Sequence, residues 1–335
     1  EQTRGIAAVF AEIMWEAFEQ AGAGKLGREV FHFCPGRGST TGAAMVSDPR
    51  VALVAFTGSM EVGLGILRTA GDTQQGARFV KKVVCEMGGK NAIIVDTSAD
   101  LDEAVLGVRH SAFGFQGQKC SACSRVIVVD EEGPDGPAIR GFTRRLVEST
   151  RALVIGDPLL PGTDVGPVID AGAKANILRY IEIARKECRQ ELALEVPAGL
   201  EQKTGRDYVG PHIFSAVKPE HTIAREEIFG PVLAVMHAKD FGEAIRIAMD
   251  PEFRLTGAVY TRKPAHIEQA RREFRVGNLY INRGSTGALV ARQPFGGGGM
   301  SGVGTKAGGI DYLLHFTEPR AVCENTMRRG FAPEL

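Results

Sequence analysis

Short apolar runs alternate with segments of helical period along nearly the whole chain, and that alternation leaves few folds open. Residues 51–56, 82–85, 92–95, 125–129, 232–237, 256–260 and 279–282 each read as a strand, with a shorter one at 29–33. Between them, apolar residues recur at helical spacing over 6–20, about 101–115, 140–153, 172–189, 241–249 and 264–274. A strand that is apolar throughout, such as 51–56, must be covered on both faces, which is the situation of a parallel sheet flanked by helices. The expected fold is α/β, with two open, mostly parallel sheets. Loops rich in Gly and Pro at 133–137, 156–167, 205–211 and 284–309 separate the units.

Charge and cysteine usage narrow the partners. Forty Lys and Arg balance forty Asp and Glu, so no net field draws the chain to nucleic acid or an anionic membrane. No apolar run approaches the length of a membrane span. Six cysteines at 34, 85, 120, 123, 188 and 323 are too few and too scattered for a disulfide scaffold; a reducing compartment, the cytoplasm, is expected. Cys120 and Cys123 form a CxxC, but no second pair accompanies them and no metal is expected there. Walker A, HExxH and GxSxG sequences are absent, which removes three common hydrolase classes.

Two glycine turns precede expected helices: Gly36, Gly38 and Gly42, then Gly58, Ser59 and Gly63. Such turns leave backbone N–H groups at a helix start, suited to a pyrophosphate, although each alone serves helix–sheet packing equally well. Cys120 sits in a polar loop beside Gln118, Lys119 and Ser121, whereas a packing cysteine usually has apolar neighbours. Glu86 closes an apolar strand just before Gly88 and Gly89, at the strand end where α/β proteins keep their chemistry. Taken singly, the cysteine also reads as a loop thiol and the glutamate as a solvated strand end. Together near a nucleotide crevice, they suggest acyl-enzyme chemistry coupled to hydride transfer. A nucleotide-binding module without chemistry and a catalytically incompetent remnant with a structural role are the rival readings.

Five motifs then carry a resemblance. Phe56-Thr-Gly-Ser59 with Val62-Gly63, Glu86-Met-Gly-Gly-Lys90, Phe115-Gln-Gly-Gln-Lys-Cys120, Glu226-Glu-Ile-Phe-Gly-Pro-Val232 and Pro294-Phe-Gly-Gly297 resemble, in order, the successive motifs of the aldehyde dehydrogenase superfamily. The resemblance implies NAD as cofactor and a small-molecule aldehyde as substrate. It implies Cys120 as nucleophile, with its backbone N–H in the oxyanion hole, and Glu86 as the base that activates water. Gly58, Ser59 and Val62 would lie at the pyrophosphate, Gly38 near the adenine, Glu227 on the nicotinamide ribose and Phe229 beside it.

A narrower resemblance rests on Ser111 through Ser124, on Arg283-Gly-Ser-Thr-Gly-Ala288, on Arg292-Gln-Pro-Phe295 and on Lys306-Ala-Gly-Gly-Ile-Asp-Tyr312. These are similar to the L-glutamate γ-semialdehyde (1-pyrroline-5-carboxylate) dehydrogenases, which perform the second step of proline catabolism. That implies Ser121, Gly287 and Ala288 at the substrate's α-carboxylate, with Phe115 and Phe295 lining the aldehyde tunnel. By the same resemblance, the chain begins partway through the family's cofactor domain. A partial NAD-binding domain is expected over 1–86, a catalytic domain over 87–300, and a return to the cofactor domain with an oligomerisation segment over 301–335. Weak NAD binding by this chain alone and a homo-oligomer for the full-length form are the matching expectations.

Overall fold

The computed structural model describes residues 2–73 and 75–326 and opens on a helical hairpin, α1 (Arg4–Gln20) and α2 (Gly24–Val30). The strand expected at 29–33 does not form. A Cβ on Gly27 would overlap the Phe18 ring, and Trp15 Nε1 donates to the Phe31 carbonyl at 3.1 Å, so helix-on-helix packing takes the segment. Among the described residues it pairs with no strand of either sheet.

A π-helical turn (Gly38–Gly42) and α3 (Ala43–Ser47) lead to β1 (Leu53–Thr57), α4 (Met60–Gly71) and β2 (Lys82–Glu86). The strands β1 and β2 are parallel, with Thr57 opposite Glu86, so both end at one edge. The chain then builds β3 (Asn91–Val95), α5 (Leu101–Phe113), β4 (Cys123–Val129), α6 (Pro137–Arg151), α7 (Ala171–Glu187) and β5 (Arg189–Ala193). It continues through α8 (Leu200–Thr204), β6 (His212–Val217), α9 (Thr222–Arg225), β7 (Val232–Ala238), α10 (Phe241–Met249) and β8 (Phe253–Arg254). Next come β9 (Thr256–Tyr260), α11 (Pro264–Glu273), β10 (Asn278–Ile281), β11 (Gly298–Gly299) and β12 (Gly302–Val303).

Seven strands form the larger sheet in the order β10-β9-β3-β4-β7-β6-β5, parallel except for β5. Its central strands are buried on both faces. Ile94, Ile127, Phe214 and Ala234 pack under α7 and α10, while Ile93, Val126 and Val235 pack under α5 and α6. Full burial of each such aliphatic side chain is worth about 1.5–3 kcal/mol, which explains why these strands were legible as continuous apolar runs. The smaller sheet has the order β1-β2-β12; β12 closes back antiparallel on β2, with Gly302 opposite Glu86. Gly302 and Val303 therefore pair with the first sheet, and residues 327–335 lie outside the described residues. Among the described residues no helix is long and apolar enough to cross a membrane.

Two strands of the larger sheet were not foreseen. The helix expected to 189 ends at Glu187, because Cys188 is extended and the chain turns directly into the edge strand β5. Arg189, Gln190 and Glu191 give β5 little apolar signature, and β6 places buried His212 and Ser215 among its apolar residues.

Candidate active site

The loop after α5 carries the nucleophile candidate, and its backbone is unusual. Phe115, Gln116 and Gly117 adopt φ of 55°, 57° and 65°, three left-handed residues in succession. Glycine takes that conformation freely, but each of the other two costs about 1–2 kcal/mol, so the surrounding structure must hold the turn. Gly117 is packed so closely on the Gly230 carbonyl that a Cβ would overlap it.

Beyond the turn, Asn91 at the start of β3 clamps the loop. Its Nδ2 donates to the carbonyls of Cys120 and Ala122, both at 2.8 Å, and its Oδ1 accepts from Thr256 N–H at 3.0 Å. Ser285 Oγ donates to the Ser121 carbonyl at 3.2 Å, and Ser285 N–H donates to Ser111 Oγ at 3.1 Å. Two strands, β3 and β9, with α5 and the loop after β10 thus hold the backbone that carries Cys120.

That thiol faces a cleft of about 770 Å³. Gly58, Ser59, Cys120, Ser121, Glu227, Phe229, Gly287, Ala288 and Phe295 line it, drawn from segments far apart in the chain. Thr57, Met87, Gly88, Gln118 and Lys119 complete the wall. Four of the expected residues stand outside it. Gly38 lies in the exposed π-helical turn, and the ring of Phe115 points to solvent against Lys119, 5.9 Å from its Nζ, rather than into the cleft. Val62 is half exposed on α4 and supplies only the N–H that Ser59 Oγ accepts at 3.4 Å as helix cap. Glu86 is one residue from the wall: its neighbour Met87 lines the cleft, and its carboxylate lies against Gly296.

The surroundings of Glu86 are dry and cationic. A Cβ on Gly296 would stand 2.6 Å from Glu86 Oε1 and 3.4 Å from Lys306 Cγ, so carboxylate and lysine stem pack on the same glycine. Glu86 Oε2 is buried and accepts no hydrogen bond from the described residues. Burial pushes the Glu86 carboxyl up to about 7, against the opposing pull of the Lys306 charge. Lys306 Nζ donates to the Gly277 carbonyl, which anchors it at the start of β10.

Burial also raises the Cys120 thiol above its ordinary value; the N–H groups of Ser121 and Cys120 oppose that rise, while the charges of Glu227 and Glu86 add to it. Glu227 Oε1 accepts from Gly89 N–H at 2.8 Å, and a Cβ on Gly88 would overlap its carboxylate, so Gly88 lets Glu227 approach while Gly89 makes room for Asn91 and the Cys120 carbonyl. Behind them Lys90 is buried with no hydrogen-bond partner for Nζ among the described residues; burial first, and then the Arg125 charge, pull it down to about 7. Cys123, the other half of the CxxC, is buried in β4, its thiol donating to the Arg125 carbonyl, and burial pushes it up to about 12. It is a packing residue, separate from the cleft.

Sequence reasoning missed Asn91, Thr256, Ser285 and Lys306. Each acts through backbone or through a partner distant in sequence, so no local pattern marks it. Lys306 stands within a quoted motif, yet only the folded chain brings it to Glu86.

Comparison with known proteins identifies the family and the fold. The family model described as aldehyde dehydrogenase family matches residues 1–322. A 1-pyrroline-5-carboxylate dehydrogenase of Geobacillus thermodenitrificans is 44% identical over 319 residues, covering 95% of this chain and 58% of that protein. Proline utilization A from Bdellovibrio bacteriovorus superposes with a TM-score of 0.84 at 46% identity, over 93% of this chain and 32% of that one. A 1-pyrroline-5-carboxylate dehydrogenase from Thermus, solved with bound NAD, superposes with a TM-score of 0.78 at 44% identity, over 88% of this chain and 57% of that one. The chain spans just over half the length of the curated relatives it matches.

Proposed function

The chain belongs to the aldehyde dehydrogenase family, and we propose that its site oxidises L-glutamate γ-semialdehyde to L-glutamate with NAD. The observation that carries this reading is the convergence of Cys120, the α4 start at Gly58–Ser59 and the Gly287–Ala288 loop on one cleft. The residues present suit the cofactor: a helix N-terminus follows Gly58, and the glycine pair leaves a carboxylate, Glu227, at the wall where a ribose hydroxyl needs an acceptor.

Cys120 Sγ, its proton passing to the Glu86 carboxylate and on to solvent, would add to the aldehyde carbon, giving a thiohemiacetal whose oxyanion the Cys120 N–H stabilises. Held at the α4 start beside Glu227, NAD would supply the hydride acceptor that oxidation of this adduct to a thioester requires. Glu86, held near neutrality by its dry pocket, would then take a proton from water as that water attacks the thioester carbon, and the thiolate leaves. Gly287, with φ of 82°, lets the loop after β10 turn backbone toward the cleft, a form of anion recognition that needs no buried arginine. Arg283 braces that loop from outside, donating to the Thr286 carbonyl at 3.2 Å and stacking on Tyr280.

All six cysteines are free, which suits the cytoplasm. Exposed Ile6, Val9, Phe10 and Ile13, one face of α1, favour a homo-oligomer. NADH formation by the protein tests the reading. L-glutamate γ-semialdehyde should outperform propanal, which lacks the α-carboxylate, and Cys120→Ala should abolish turnover of both. Equal rates with the two aldehydes would remove the substrate assignment.

A further inference from the structure

A second cleft, of about 380 Å³, lies between α6 and the β5–β6 edge of the large sheet, and shares no lining residue with the Cys120 cleft. Its floor is half apolar: buried Ile139 and Val147 flank the Thr143 side chain. Its rim carries four arginines, Arg140, Arg144, Arg151 and Arg189. The chain as a whole is neutral, so this concentration is local and does not follow from a basic composition.

Two of the four are already engaged. Arg151 Nε stands 3.7 Å from Glu148, and Arg189 meets Glu191 at 2.7 Å and Asp135 at 3.6 Å. Arg140 and Arg144 form no ion pair with any described residue. They sit four residues apart on α6, the spacing at which like charges face each other and destabilise a helix. Two guanidinium groups one turn apart offer many N–H donors and no acceptor, chemistry suited to a tetrahedral dianion, although Glu148 and Glu191 also line the cleft. The volume falls at the small end of ligand sites, too tight for a dinucleotide and sufficient for a small phosphate ester.

We propose that this cleft is a second ligand site, which binds a small phosphate-bearing anion through Arg140 and Arg144. The phosphate could come from a monoester or from pyrophosphate; the shared chemistry is the dianionic group. The proposal is independent of the reaction at Cys120.

Calorimetric titration of the whole chain with inorganic pyrophosphate, and separately with glycerol phosphate, tests it. NAD in excess blocks the cofactor cleft, where pyrophosphate could otherwise settle. The expected result is a binding event that survives NAD and weakens about tenfold or more in Arg140→Gln/Arg144→Gln, as loss of charge-assisted bonds requires. Both arginines are exposed, so the variant should fold; if the double variant melts early, each single variant should show part of the loss. Binding abolished by NAD, affinity unchanged in the variants, or succinate binding as tightly as phosphate would overturn the proposal.

Discussion

Replacing Glu86 by Gln makes a sharp test of the half-buried pocket beside Gly296. The carboxyl moves from an ordinary 4.5 to about 7 on folding, chiefly through burial. At about 1.4 kcal/mol per pH unit the ceiling on this effect is about 3.4 kcal/mol. The group is only partly withdrawn from water, so solvent screening brings the expected size to about 1–2 kcal/mol. Its sign follows from the raised value. Below about 4.5 both folded and unfolded chains hold the proton, and the wild type is at full stability; as pH rises through about 7 the folded chain must surrender it, and stability falls. Gln has the same shape and no charge to desolvate. Urea denaturation followed by circular dichroism should therefore find Glu86→Gln and wild type equally stable near pH 4.5, and the variant about 1–2 kcal/mol more stable near pH 8. A gap that does not change between the two pH values would refute the reasoning, since Glu86 would then titrate like a solvated side chain.

Two other perturbations probe the same site. Lys306→Met removes the cation that holds the Glu86 carboxyl down, so the pH midpoint of thioester hydrolysis should move upward, with Lys306→Arg restoring it; an unmoved midpoint would separate the two residues. Gly117→Ala forces a left-handed alanine and sets its Cβ against the Gly230 and Ala112 carbonyls, which are backbone and cannot yield. It should cost about 3 kcal/mol or more in thermal or urea unfolding, and wild-type stability would show that the Cys120 turn is looser than described.

Much of the fold was legible because burial on both faces writes itself into β3, β4, β7 and β9 as unbroken apolar runs. The edge strand β5 escaped because its residues are exposed and polar, and the segment 29–33 misled because its apolar residues serve a helical hairpin, where period and contact decide rather than β propensity. Cys120 and the Gly58–Ser59 turn stood out in local sequence, whereas Glu227 came only through the family resemblance and the Gly36–Gly42 turn lies away from the cleft. Asn91 was not: its importance lies in reaching the carbonyls of Cys120 and Ala122 across 29 and 31 residues of chain, a relation that only register creates. The position of Phe115 could not be read either, because a left-handed backbone reverses the direction in which its ring leaves the chain.

The pairing of one sulfur with one carboxylate is open to direct view by mass spectrometry of the protein quenched after mixing with L-glutamate γ-semialdehyde and excess NAD. In Glu86→Gln, a glutamyl thioester should accumulate on the peptide containing Cys120, at far higher occupancy than in wild type, where hydrolysis clears it. An adduct on another cysteine, or a thioester that clears as fast without the carboxylate as with it, would contradict the mechanism.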